Sequence, residues 1–256
     1  MEQLNHRILA HIPLTGLINA RHLGGYHTAD GHLTREGAFV RCENPQHMTQ
    51  EDMNQLYRFG IRSVIDLRSA EEIESAPNPM ASDNRFTYCN IPVFQTDASP
   101  SALTKSGIAM GKLYIHMLKD CKESFRSIFK QILDARGGVL FHCSAGKDRT
   151  GVLSALLLSL VGVDEDTVIR EYTYTQTLLA PLVEKLKRTL PDGISGKHAE
   201  DMLAARPEYI KEALNYLKES YGSAEGYLLS LGFRTDEVEA LRQKLVAQES
   251  EQEKGA

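Results

Sequence analysis

The segment that most limits what this chain can become is HCSAGKDRTG, residues 142–151, set between the apolar runs GVLF and VLSALLLSLVGV. The first run is short, with branched and aromatic side chains, and predicts a buried strand; the second is too long for a strand and too short to span a bilayer, and predicts a buried helix. A strand feeding a Gly-containing loop and then a helix start lets successive backbone N–H groups, from about Ser144 to Arg149, converge on one point. The positive end of the helix dipole lies behind them. Such a cradle suits a tetrahedral oxyanion.

Cys143 stands at its entrance, where these N–H groups, the helix N-terminus and Arg149 would all favour the thiolate. Arg149, six positions on, can bind two oxygens of an anion with its planar fork, which a lysine cannot do. The Thr150 hydroxyl can donate to the sulfur, and His142 can brace the loop from behind. Gly146 and Gly151 allow close backbone approach, while Ser144, Ala145, Gly146, Lys147 and Thr150 are the candidate anion-binding positions.

Elsewhere IRSVIDL (61–67) and FTYCNIPV (86–93) read as strands, with GAFVRC (37–42) a weaker one beside GVLFHC (138–143). TQEDMNQLYRFG is a helix with Thr49 and Asp52 in capping positions, and 111–135 has helical spacing. After residue 150 strand signals vanish, and everything to about 247 is helical with breaks at PDGISG and YGSAEG. The pattern predicts an α/β core with a helical C-terminal half: one domain over 1–248 and a disordered tail at 249–256.

A net charge of −5 over 256 residues argues against a general nucleic-acid surface. Nothing predicts membrane insertion, and the expected compartment is the cytoplasm, or the exterior if a leader has been trimmed away. Cys42, Cys89, Cys121 and Cys143 are widely separated and show no metal-ligand spacing, so reduced thiols are expected rather than a disulfide framework. His22, His27 and His32 follow no ligand pattern either, so no metal and no cofactor is expected.

His142, Cys143, Gly146, Arg149 and Thr150 resemble the HCxxGxxR(S/T) signature of protein tyrosine phosphatases and their dual-specificity relatives. The longer form HCxAGKDRTG is similar to that of bacterial atypical tyrosine and phosphoinositide phosphatases, as are INARHLGGYHTADGHLTREGAFVRCEN, GIRSVIDLRSAEE and YIKEALNYLKESYGSAEGYLLSLGF. Two positions depart from that pattern: His22 stands where an Asp is usual, and Cys42 where Ser is common. The resemblance implies the cysteine-phosphatase fold, a central, mainly parallel sheet of four or five strands flanked by helices. It also implies hydrolysis of a phosphomonoester through a phosphocysteine on Cys143.

Departure of an alcohol or phenol needs a proton donor. The usual Trp-Pro-Asp loop is absent from a chain without tryptophan. Relatives with KDR in the loop point to Asp148 as the acid; Asp97 is the alternative, and Asp66 could position Arg149 or Lys147. Relatives with lysine at position 147 often accept phosphoinositides, so the implied partners are a phosphotyrosine protein or a phosphoinositide, with phosphate as product. Helical insertions in relatives suggest a lid within 178–205. Two readings from other classes stay open: a non-catalytic pseudophosphatase that binds phosphorylated partners, and a rhodanese- or arsenate-reductase-like redox enzyme.

Overall fold

The computed structural model describes residues 11–94, 109–183, 187 and 196–247. Within it β1 (Arg21–His22), β2 (Phe39–Cys42), β3 (Ile61–Asp66), β4 (Thr87–Asn90) and β5 (Gly138–His142) form one sheet in the order β1-β2-β5-β3-β4. β1 runs antiparallel to β2, and all other neighbours are parallel. β2 and β5 are buried along their whole length, since strands covered on both faces need not alternate, and Arg41 within β2 is buried by pairing with Glu171. The expected strands are present in shortened form. β1 is an addition, because Arg21 and His22 carry no strand pattern of their own and take their conformation from β2.

On one face pack α1 (Gln50–Arg58) and the N-terminal segment, where Ile12, Leu17, Met53 and Leu56 meet Val40, Val64 and Leu140. Thr49 and Asp52 cap α1 reciprocally, each side chain taking the other residue's backbone N–H. The larger core covers the opposite face. There α3 (Met110–Asp120), α4 (Lys122–Asp134), α5 (Asp148–Leu160) and α6 (Glu165–Leu179) join Phe39, Ile65, Val139 and Phe141. The predicted helix over 111–135 is two helices, because the backbone turns away from helical geometry at Cys121 (φ −102°, ψ 31°).

The helical half continues with α7 (Gly196–Leu203), α8 (Pro207–Tyr221), α9 (Ala224–Ser230) and α10 (Thr235–Leu245). One helix escaped the sequence reading: α2 (Ala70–Ser75), a short element after β3 that opens with a Ser69–Glu72 capping box. Among the described residues no helix is long and apolar enough to cross a membrane. The tail at 249–256 lies outside the described residues.

β5 occupies the middle of the sheet, with β2 on one side and β3 on the other. The helices joining the strands leave on opposite faces, so a crevice opens at the C-terminal edge of β5. HCSAGKDRTG begins there.

Candidate active site

The loop between β5 and α5 is shaped by hydrogen bonds to its carbonyls. Asn44 N donates to Ser144 O at 2.9 Å. Asn19 Nδ2 reaches Ala145 O at 3.0 Å and Gly146 O at 3.3 Å, and Arg41 donates to Gly146 O at 2.6 Å. The Cys143 carbonyl lies 3.1 Å from His142 Nδ1. In a trans peptide the C=O and the following N–H point in opposite directions. Four consecutive carbonyls tied to the surrounding framework therefore turn the N–H groups of Ser144, Ala145, Gly146 and Lys147 the other way, into the loop.

Gly146 makes this turn possible. Its φ is +65°, and a Cβ there would lie 2.4 Å from the Cys42 carbonyl oxygen. α5 then begins at Asp148 with no side-chain cap on its first turn, so its leading N–H groups and dipole add to the cradle.

Cys143 follows β5 and is 2% exposed. Thr150, one turn into α5, places Oγ1 3.2 Å from Cys143 Sγ. Asn78 sits behind the loop: its Oδ1 accepts from Met80 N, so its Nδ2 faces His142 Nε2 at 2.9 Å. That leaves the ring proton on Nδ1, directed at the Cys143 carbonyl.

Arg149 is held by a carboxylate from α2. Its NH1 and NH2 reach Glu72 Oε2 and Oε1, each at 2.7 Å, and NH1 also donates to Leu67 O at 3.3 Å. Ser144 Oγ donates to Glu72 Oε1 as well, and lies 3.4 Å from Arg149 NH2. Burial favours a neutral Glu72, but the hydrogen bonds and charge of Arg149 outweigh it and bring the carboxyl down to about 2. For Arg149 too burial works against the charge, and the Glu72 bonds with the negative charge of Cys143 overcome it, so its proton is held more tightly than usual.

Asp66 does not reach Arg149 or Lys147, contrary to expectation. It accepts from Arg68 Nε at 2.9 Å, Arg68 NH2 at 2.7 Å and Tyr88 Oη at 2.9 Å, with His142 Nε2 3.3 Å away. It ends β3 and is fully buried beside β4, facing away from the loop's far side. Burial would raise its carboxyl, yet the Arg68 hydrogen bonds hold it far below the usual carboxylate range.

Asp148, the first residue of α5, accepts from Tyr114 Oη at 2.5 Å through Oδ1, and its side chain keeps 20% exposure. Lys147 is 2% exposed; its ammonium donates to the carbonyls of Met202 and Ala204, the latter at 2.9 Å, and lies 3.3 Å from Asp148 Oδ1. These two carbonyls bring the end of the 178–205 segment, where a lid is expected, against the loop, while 184–186 and 188–195 lie outside the described residues. Asp97 also lies outside them.

A buried ion cluster stands behind the cradle. Glu171 of α6 accepts from Arg21 Nε at 2.7 Å and Arg41 NH1 at 2.6 Å; Arg21 also donates to Asn19 Oδ1 at 2.5 Å and Thr175 Oγ1 at 2.8 Å. Burial favours the neutral Glu171, but the two guanidinium groups override it and lower its proton affinity. Arg41, wholly buried, is pulled down to about 10, chiefly by burial and then by Arg21. None of Glu72, Asn19, Arg21, Arg41 or Glu171 was assigned a role from the sequence, although the Ser69-x-x-Glu72 spacing is a capping-box signal.

The two departures from the family pattern have local explanations. His22 Nδ1 takes the Gly24 N–H at 3.0 Å, a bond that a carboxylate could also accept, and burial lowers its proton affinity. Cys42 packs with Val40 and Leu140 on the face opposite Cys143, so the two sulfurs point to different sides of the sheet. All four cysteines are free thiols, and no cluster among the described residues has the ligands for a metal.

A family model described as the tyrosine phosphatase family matches residues 12–247. The chain is 31% identical to a tyrosine-protein phosphatase of Nostoc commune, over 81% of this chain and 74% of that protein. It is 25% identical to the triple specificity protein phosphatase PtpB of Mycobacterium tuberculosis, over 90% of this chain and 96% of that one. The crystal structure of TpbA from P. aeruginosa aligns with a TM-score of 0.44 at 14% identity, over 88% of this chain and 98% of that one.

Proposed function

The chain belongs to the tyrosine phosphatase family, and on that premise we propose that Cys143, Arg149 and Asp148 carry the hydrolysis of a phosphotyrosine ester. As a member it is a cysteine-based phosphoric monoester hydrolase. The Cys143 thiolate attacks phosphorus, the ester P–O bond breaks as the S–P bond forms, and Asp148 gives a proton to the departing oxygen. The N–H groups of Ser144 to Lys147 and the Arg149 guanidinium bind the three equatorial oxygens. Water then attacks the phosphocysteine, Asp148 takes its proton, phosphate leaves, and the Thr150 hydroxyl stabilises the released thiolate.

The observation that carries this reading is the set of outward-tied carbonyls from Cys143 to Gly146, which turns consecutive amides inward around the nucleophile. Cys143→Ser tests it: aryl phosphate turnover should vanish, and turnover at the parent's rate would overturn the reading. Asp148→Asn tests the acid. Hydrolysis of an alkyl or phenyl phosphate should fall far more than that of a dinitrophenyl phosphate, and equal losses would move the role elsewhere.

Phosphoinositides are a second substrate class, favoured by the lysine at position 147 of the loop. Lys147 is held by two carbonyls and by the Asp148 carboxyl in this arrangement, so a second phosphate would have to draw it away from them. Inactivity on every phosphoinositide tested would remove that class. The free thiols suit the reducing cytoplasm. The pseudophosphatase and sulfur-transfer readings do not fit a family member that retains both Cys143 and Arg149 in its loop.

A further inference from the structure

Asp148 is backed by two buried phenols that the reaction has not so far used. Tyr114 of α3 donates to its Oδ1 at 2.5 Å, and Tyr114 Oη lies 2.6 Å from Tyr172 Oη of α6. The rings meet edge to face with centroids 5.9 Å apart, and they are 0% and 1% exposed. Each phenol has one proton. With Tyr114's committed to the carboxyl, Tyr172 must donate to the Tyr114 oxygen, and the chain runs Tyr172 to Tyr114 to Asp148 Oδ1. Asp148 Oδ1 also has the Lys147 ammonium 3.3 Å away, whereas Oδ2 has no hydrogen-bond partner among the described residues.

Packing alone does not call for these hydroxyls, because phenylalanine would fill the same space without two polar groups to satisfy. α5 and α6 approach closely enough here that a Cβ on Gly151 would come 2.9 Å from the Tyr172 ring. Tyr172 is therefore fixed from below, and Tyr114 from its own helix.

We propose that Tyr114, backed by Tyr172, is a positioning residue for Asp148, holding Oδ1 so that Oδ2 presents its proton to the leaving-group oxygen. The inference rests on the reading of Asp148 as the acid. As the ester P–O bond breaks, the proton passes from Oδ2 to the departing oxygen and the carboxyl becomes a carboxylate. A hydrogen bond to a carboxylate is stronger than one to the neutral acid, so the Tyr114 bond tightens as the transition state is approached and raises turnover rather than substrate affinity. In the second half the same carboxylate, still fixed, takes a proton from the attacking water.

The experiment compares parent, Tyr114→Phe, Asp148→Asn and the double variant on phenyl phosphate and 2,4-dinitrophenyl phosphate. The dinitrophenolate leaves without a proton, and phenolate does not. Tyr114→Phe should lose about tenfold more kcat on phenyl phosphate than on the dinitrophenyl ester, the loss expected for one charged hydrogen bond, with KM little changed. The double variant should match Asp148→Asn alone. If Asp148→Asn shows the selective loss and Tyr114→Phe loses equally on both esters, Tyr114 is structural and the inference fails while the acid stands. If Asp148→Asn itself loses equally on both, the acid reading fails and takes the inference with it. Should Tyr114→Phe not fold, Tyr172→Phe carries the same comparison: a smaller loss weighted to phenyl phosphate supports the chain, and an even loss overturns it.

Discussion

Glu72 grips Arg149 with both carboxylate oxygens, each 2.7 Å from a guanidinium nitrogen, across 77 residues of sequence. This pair decides where the guanidinium stands before any substrate arrives, and a misplacement of about 1 Å in such a group costs on the order of 100-fold in rate. Glu72→Ala should therefore lower kcat/KM about 100-fold, and at neutral pH it should also lower the thermal transition, because it leaves the buried Arg149 guanidinium without its carboxylate. A variant within threefold of the parent would show that the cradle orients Arg149 unaided.

The same pair has a signature in acid. The Glu72 carboxyl is depressed to about 2 from an ordinary 4.5, so its contribution to stability is fully present above about pH 4.5 and is lost as pH falls toward 2. Denaturant titrations at pH 6, 4, 3 and 2 should show the parent losing stability over that window more steeply than Glu72→Gln. Parallel curves would mean that the pair adds no net stability.

Asn19 ties down two consecutive loop carbonyls. Asn19→Ala frees both peptide units to rotate, and the lost preorganisation should weaken inhibition by vanadate or phosphate about tenfold, the worth of roughly one good hydrogen bond. Oxyanion inhibition constants check this directly. An unchanged constant would leave Arg41 and Asn44 sufficient to hold the loop.

Thr150 should matter most in the second chemical half. Thr150→Val removes the donor 3.2 Å from Cys143 Sγ, so release of the thiolate slows by roughly 10- to 100-fold and the phosphocysteine accumulates. Stopped-flow measurement should then show a burst of phenol followed by a slow steady state, and Thr150→Ser should abolish the burst. A uniform slowing without a burst would place the effect on the first step.

Glu171 is the one carboxylate between two fully buried arginines. Glu171→Gln leaves their charges uncompensated, which for a buried pair costs about 3–5 kcal/mol. For a chain of this size that corresponds to a drop in Tm of roughly 6–20 °C. A Tm within 2 °C of the parent would mean that water or an anion replaces the carboxylate.

What could be read from the residues alone was local. HCSAGKDRTG announces its chemistry because nucleophile, glycine, arginine and threonine sit within one turn of strand, loop and helix, so their spacing is their geometry. The strands and most helices were legible for the same reason: apolar runs and the Thr49–Asp52 cap act over a few residues. Cys121 hid a break, since its spacing pattern continues while its backbone does not.

The supporting cast was decided by tertiary structure. Glu72 reaches Arg149, Asn19 and Arg41 reach Gly146, and Tyr114 reaches Asp148 only because sheet order and helix packing bring distant segments to the end of β5. A carboxylate's partner depends on direction as well as distance. Asp66 has the right charge and ends the strand beside β5, yet it turns to Arg68 and Tyr88. Spacing along a chain fixes which groups a loop contains, but the direction in which a buried side chain points is set by the surface that packs against it.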